Sequence, residues 1–291
     1  MLDPSADFQQ PRALPKSGSH QKPMNLTEKQ LVDILKELKE GHAVTGVKME
    51  FEAEGTRLEE AMRLKDVSSR AGLDMTLKIG GCEAFTDMYE AANLGVKHLV
   101  APMIETPYAL RKYHGAIIKA YDKEDQADMD FLFNLETATA CENFALMLEL
   151  PEMEIMDGVV LGRVDLTGSL GMGRGEVNND QIFGICSKMA AKAKARGKTV
   201  VIGGSVSIRS MPFFKKFPAG HIDRFETRKI VFKCPEALQN TEKSFLKALE
   251  FELLWLKNKQ NYYGRISRED ETRLVMMEER YRDSVSTAKS A

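Results

Sequence analysis

GVKMEFE, residues 46–52, alternates residue by residue: Val47, Met49 and Phe51 are apolar, while Lys48, Glu50 and Glu52 are charged. Successive side chains of a β-strand point to opposite faces, so this segment has one apolar face and one face carrying three charges. The parity recurs in LKIGG (77–81), where Leu77 and Ile79 alternate with Lys78, and in FLFNLE (131–136), where Phe133 and Leu135 alternate with Asn134 and Glu136. LGRVDL (161–166) sets Arg163 and Asp165 on one face; DRFETRKI (223–230) sets Arg224, Glu226 and Arg228 opposite Phe225 and Thr227. In a barrel the apolar parity faces the surrounding helices and the other parity faces the interior. Isolated buried charges cost several kcal/mol each, so these groups must pair, bind a metal or meet a charged ligand. Structural ion pairs, or a strand register shifted by one residue, are the plain alternatives for any single residue.

Working outward, extended runs at 44–52, 74–79, 97–104, 130–136, 157–163, 198–203 and 223–233 alternate with amphipathic helical runs at 57–70, 83–94, 106–119, 138–149 and 180–196. That alternation predicts a parallel α/β fold. A chain of 291 residues suits a single TIM-type (β/α)8 barrel, which takes roughly 250 residues. Seven strands are visible, so the expected barrel has one atypical or missing strand.

Residues 1–24 carry four prolines with Ser, Gln and Lys and no apolar period, and are read as a disordered N-terminal arm. The barrel is placed at 25–235, opening with a helix capped by Asn25 or Thr27 and closed by Gly41. Residues 236–291 form a C-terminal helical extension. Its first helix carries Leu246, Leu249, Leu253 and Leu256 on one face, and a second is expected from Ser267 through Leu274, Met277 and Tyr281. Both either close the barrel in cis or pack on another subunit, which leaves a homo-oligomer open.

Lys and Arg total 41 against 43 Asp and Glu, so there is no basic excess to neutralise phosphates and nucleic acid is not an expected partner. No apolar run approaches the ~20 residues that span a bilayer, and no signal-peptide core is visible. A cytoplasmic protein is expected. Cys82, Cys141, Cys186 and Cys234 form no C-x-x-C pair and read as reduced, mostly buried thiols.

KHLVAPMIETPYAL (97–110), FNLETATACENF (133–144) and MDGVVLGRVDLTGSLGM (156–172), in this order and spacing, resemble the HpcH/HpaI aldolase and citrate lyase β-subunit family. The likeness spans about residues 46–205, and its most specific element pairs a strand-ending Glu with the run Gly162-x-x-Asp165-Leu-Thr-x-x-Leu-Gly. It implies a β/α barrel of the phosphoenolpyruvate/pyruvate superfamily that makes or breaks a carbon–carbon bond beside a 2-oxo acid or acyl thioester. It also implies Mg²⁺ or Mn²⁺ held by Glu136 and Asp165; Gly162 and Arg163, in the same run, are expected to bind the substrate.

Two departures stand out. Lys78 takes the place of a functional Arg, keeping charge but losing the bidentate fork. Ala53 takes the place of the His that serves related aldolases as base. Glu50, Glu52, Glu105 and Lys48 are the candidates to move the proton, although Glu105 also stands where it would stabilise a helix N-terminus. Lys78 or Arg228 is expected to hold a substrate carboxylate. His42, His98, His114 and His221 fall at no motif of the family. Gly203-Gly204-Ser205 reads either as an anion-binding turn or as an ordinary one.

The leading expectation is a metal-dependent carbon–carbon lyase for a small 2-oxo or hydroxy acid. Phosphoenolpyruvate-dependent addition, thioester hydrolysis and a non-catalytic binding barrel are the alternatives.

Overall fold

The computed structural model describes residues 23–239 and 241–290. All but the last two residues of the arm expected over 1–24 lie outside the described residues. The elements run α1 (Leu26–Gly41), β1 (Val44–Glu50), α2 (Leu58–Arg70), β2 (Asp74–Lys78), α3 (Phe85–Leu94), β3 (His98–Ala101), α4 (Pro107–Ala120), α5 (Lys123–Asp128) and β4 (Asp130–Leu135). There follow α6 (Ala138–Leu148), β5 (Gly158–Gly162), α7 (Arg163–Ser169), α8 (Asp180–Ala195), β6 (Thr199–Gly203), α9 (Met211–Lys215), β7 (Arg224–Glu226), β8 (Ile230–Lys233) and α10 (Thr241–Ser290).

The strands close into an eight-stranded barrel in sequence order. β1 to β7 are parallel neighbours, while β8 is antiparallel to both β7 and β1. The single strand expected over 223–233 is therefore two: a hairpin turns at Arg228-Lys229, with Thr227 N–H donating to Ile230 C=O at 2.9 Å. The strand missing from the sequence reading is this returning arm. Its turn lacks the Gly, Asn or Asp that marks most tight hairpins; Glu252 braces it instead, accepting from Thr227 Oγ1 at 2.7 Å and Lys229 N at 3.1 Å.

The apolar parity of the strands packs under the helices. Val47, Met49, Leu77, Ile79, Phe133, Leu135 and Phe225 all belong to the main core. Inside the barrel, Val100, Leu132, Val160 and Val201 form a separate apolar layer. Each buried aliphatic side chain is worth about 1.5–3 kcal/mol, so the two clusters fix strand parity and with it the direction of every charge. Asn25 caps α1 in a reciprocal box with Glu28, as the sequence suggests.

The C-terminal extension departs from expectation. α10 is one helix of 50 residues, and Ser267 caps nothing: its Oγ faces Glu271 Oε1 at 3.4 Å. The helix does close the barrel in cis, through Phe245, Ala248, Phe251 and Trp255, which are at most 5% exposed. The leucine stripe lies on the other face: Leu246, Leu249, Leu253 and Leu256 are 55–61% exposed. Among the described residues no helix is long and apolar enough to cross a membrane.

Candidate active site at the barrel mouth

A cavity of about 570 Å³ opens where the parallel strands end, lined by Lys48, Glu50, Lys78, Glu136, Asp165 and Glu226 among others. This is the end at which β/α barrels carry their chemistry. Charges from β1, β2, β4 and β7 converge there because the apolar layer below leaves the upper interior as their only outlet.

Lys48, on β1, bridges two carboxylates: Glu50 Oε1 at 2.9 Å and, in a short contact, Glu226 Oε1. Burial alone would lower its pKa, yet Glu226 and Glu50 overcome this and hold the ammonium above the ordinary lysine range. Lys48 is thus a fixed cation with no free lone pair. For Glu50, burial is outweighed by Lys48, which holds its carboxyl below the usual range. Lys78 closes β2 and faces Glu52 Oε2 at 3.0 Å and Glu136 Oε2 at 3.4 Å. Burial again opposes its charge, and Glu136, Glu52 and Glu50 raise its pKa regardless.

Glu136 follows β4 and is 2% exposed. Its Oε1 accepts the Met103 N–H at 3.0 Å and its Oε2 the Asn134 amide at 2.6 Å. Burial raises its pKa even against Lys78, the signature of a carboxylate short of positive charge. Two glycines clear the space these acids need. A Cβ at Gly162 would come within 2.7 Å of Glu136 Cβ and 2.8 Å of Oε2, and one at Gly203 within 2.9 Å of Glu226 Oε1.

Asp165 lies in the first turn of α7 and lines the cavity. The strand ends at Gly162, so the parity drawn through LGRVDL does not continue. Arg163 consequently leaves the interior. It is fully buried behind the wall, its guanidinium over the adjacent rings of Phe213 and Phe214. Its Nε donates to Gly203 C=O at 3.1 Å, its Nη2 to Gly204 C=O at 2.8 Å and its Nη1 to Asn178 Oδ1 at 2.6 Å. Burial lowers its pKa to about 10, still protonated at neutral pH. Arg163 holds a loop; it does not line the cavity.

Of the other sequence candidates, Arg228 sits on the hairpin turn, lines the cavity and faces Glu54 at 3.3 Å. Glu105 is not among the lining residues; it accepts from Thr137 Oγ1 at 2.7 Å and so braces the β4–α6 junction. Ala53 lines the cavity. The charged lining residues Glu226, Arg174, Glu242 and Glu252 were absent from the sequence candidates. Glu226 was signalled by its alternation with Phe225, whereas Arg174, in the Gly-rich loop after α7, has no periodic signal.

The donor set fits a hard divalent ion. Glu136 and Asp165 offer carboxylates, and the buried Asn134 Oδ1 has no hydrogen-bond partner. Mg²⁺ characteristically takes one or two carboxylates and keeps its waters. Among the described residues no group of three or more His, Cys, Asp or Glu forms a complete cage. Seven acidic and four basic side chains line the cavity, an excess of negative charge that a divalent cation would offset.

The family described as HpcH/HpaI aldolase/citrate lyase matches residues 57–206 of this chain. Among solved structures, the chain is similar to the HpcH/HpaI aldolase from Desulfitobacterium hafniense DCB-2 at 14% identity, covering 66% of this chain and 79% of that one, with a TM-score of 0.52. It is similar to a family protein from Burkholderia cenocepacia J2315 at 15% identity, covering 66% and 82%, with a TM-score of 0.50. A third likeness is to citrate synthase SbnG, at 12% identity, covering 79% and 90%, with a TM-score of 0.55. At such identities these likenesses bear on the fold. No curated protein matches the chain.

Proposed function

The chain belongs to the HpcH/HpaI aldolase/citrate lyase family, and on that premise we propose that it is a divalent-metal-dependent carbon–carbon lyase acting on a small 2-oxo or hydroxy acid. The observation that carries this reading is the meeting of Glu136, Asp165 and Lys78 in one cavity with unneutralised carboxylate charge. Glu136 and Asp165 would hold Mg²⁺ or Mn²⁺. Such an ion polarises a carbonyl oxygen and stabilises the negative charge left on it when the adjacent bond breaks.

The remaining roles fall to the chain's own side chains. Lys78, kept cationic by its carboxylate neighbours, faces the carbonyl oxygen and attracts its developing charge. Glu50 is committed to Lys48 and held in its ionised form, which makes it a weak base. Glu52 lines the same cavity, is 29% exposed at its side chain and is tied only to Lys78 among the described residues. We assign to Glu52 the proton of the substrate hydroxyl: its carboxylate takes that proton as the carbon–carbon bond breaks, and returns it to the carbon that leaves as the enol of the 2-oxo acid. Gly162 lines the same cavity and leaves Glu136 the room its carboxylate needs. A cytoplasmic location, and self-association through the exposed leucines of α10, belong to the same reading; sedimentation velocity of the full chain checks the latter.

The test is release of pyruvate or a related 2-oxo acid from a panel of 4-hydroxy-2-oxo acids, followed with Mg²⁺, with Mn²⁺ and with EDTA. Metal-dependent release is expected. Ala53, where related aldolases carry a His, favours a second reading: phosphoenolpyruvate-dependent addition or thioester hydrolysis. Consumption of either substrate without retro-aldol release would select it.

A further inference from the structure

Four cationic side chains line the cavity: Lys48, Lys78, Arg174 and Arg228. Three already face carboxylates. Lys48 meets Glu50 and Glu226, Lys78 meets Glu52 and Glu136, and Arg228 meets Glu54. Arg174 has no carboxylate partner among the described residues. Its Nε donates to Ser205 Oγ at 3.1 Å, which leaves both terminal amino groups available. The nearby acids are engaged elsewhere: Glu176 accepts the Gly173 N–H at 2.9 Å and Asp180 faces Lys216 at 2.7 Å.

The partner that orients Arg174 is itself built. Gly204 and Ser205 have φ of +85° and +50°, a left-handed stretch that a serine adopts only when its surroundings impose it. A Cβ at Gly204 would come within 2.7 Å of Val164 N and 2.8 Å of Arg163 N. The carbonyls of Gly203 and Gly204 are pinned by the buried Arg163. One arginine therefore fixes the loop, and the loop's hydroxyl aims the other arginine at the cavity.

We propose that Arg174, held by Ser205, receives a second anionic group of the substrate, a carboxylate or phosphate at the end remote from the reacting carbon. The substrate class is thereby narrowed to 2-oxo or hydroxy acids with two anionic ends. This rests on reading the cavity as the lyase site. A guanidinium with two free amino groups offers a planar fork that matches either anion. Its position fits the need, because an anionic substrate entering a cavity rich in carboxylates requires a cation at the rim that no carboxylate has claimed.

Calorimetric binding with Mg²⁺ present tests this in matched pairs: 2-oxoglutarate against 2-oxopentanoate, 2-oxoadipate against 2-oxohexanoate, and phosphohydroxypyruvate against hydroxypyruvate. At least one dianionic acid should bind about tenfold or more tightly than its counterpart, the scale of one charge-assisted hydrogen-bonded pair. The pair that shows it distinguishes carboxylate from phosphate. Arg174→Gln should erase the preference while leaving the counterpart's affinity within about twofold, and Arg174→Lys should restore part of it. Equal binding within every pair in the native protein, or a preference that survives Arg174→Gln, overturns the inference alone. If no 2-oxo acid of either kind binds, the lyase reading falls and this inference with it.

Discussion

The two ends of the barrel interior both bury charge, and they differ in how that charge is balanced. At the N-terminal end, where β3, β4 and β7 begin, His98 Nδ1 lies 2.8 Å from Asp130 Oδ2 and its Nε2 lies 3.0 Å from Arg224 Nη1. Arg224 Nη2 also reaches Asp130 at 4.0 Å. One carboxylate meets one guanidinium with an imidazole between them, so the formal charges balance within the set. At the C-terminal end, beyond the Val100, Leu132, Val160 and Val201 layer, acidic groups outnumber basic ones. Burial alone is thus a poor mark of a site, since structural ion pairs also perturb titration. An uncompensated buried charge is a better one, because it is stable only with a cation or ligand in place.

The largest effect that sharpens this contrast is expected at the unbalanced end. Glu136→Gln or Asp165→Asn should cut turnover at least ~10²-fold. Neither change should lower the melting temperature, because removing one negative charge there relieves repulsion. Next comes Lys78→Met, which should reduce turnover by roughly 10²-fold with metal binding retained. Normal turnover with a marked loss of thermal stability would instead make Lys78 a structural partner like those at the other end.

At the balanced end the pattern should invert. Arg224→Leu strips Asp130 of its guanidinium, and urea unfolding should show a loss of about 1–3 kcal/mol while kcat and KM stay near native values. A large kinetic effect there would break the contrast.

The smallest expected effect is on pH dependence. The hydrogen bond from His98, assisted by the charges of Lys97 and Arg224, holds the Asp130 carboxyl below its ordinary range. A carboxyl whose pKa is lower folded than unfolded contributes stability above the ordinary carboxylate range and loses it as pH falls through the lowered value. Melting temperature should therefore fall on the acid side, and Asp130→Asn should flatten that limb. An unchanged acid limb in the variant would assign the loss to other groups.

Much of this layout is legible in the sequence where a period of two runs through a whole strand. Lys48, Glu50, Lys78, Asn134 and Glu136 were all aimed inward by the apolar residues alternating with them. Legibility stopped where the backbone changed state without a local marker. Arg163 was misdirected because β5 gives way to α7 at that residue. The β7–β8 hairpin was hidden because its turn is braced by a side chain from α10. The length of α10 was underestimated because Ser267, which reads as a cap, lies inside a continuous helix. Arg174 is beyond local reading altogether: its partner Ser205 is 31 residues away, and only the closed barrel brings them together.

The central claim, that the carboxylate excess at the mouth is the seat of a divalent cation, is tested most directly by calorimetric titration of Mg²⁺ into the native protein and into Glu136→Gln and Asp165→Asn. The account predicts saturable binding to the native chain and a loss of affinity of at least ~10-fold in each variant. Unchanged affinity in both variants, with their folds intact, would contradict it.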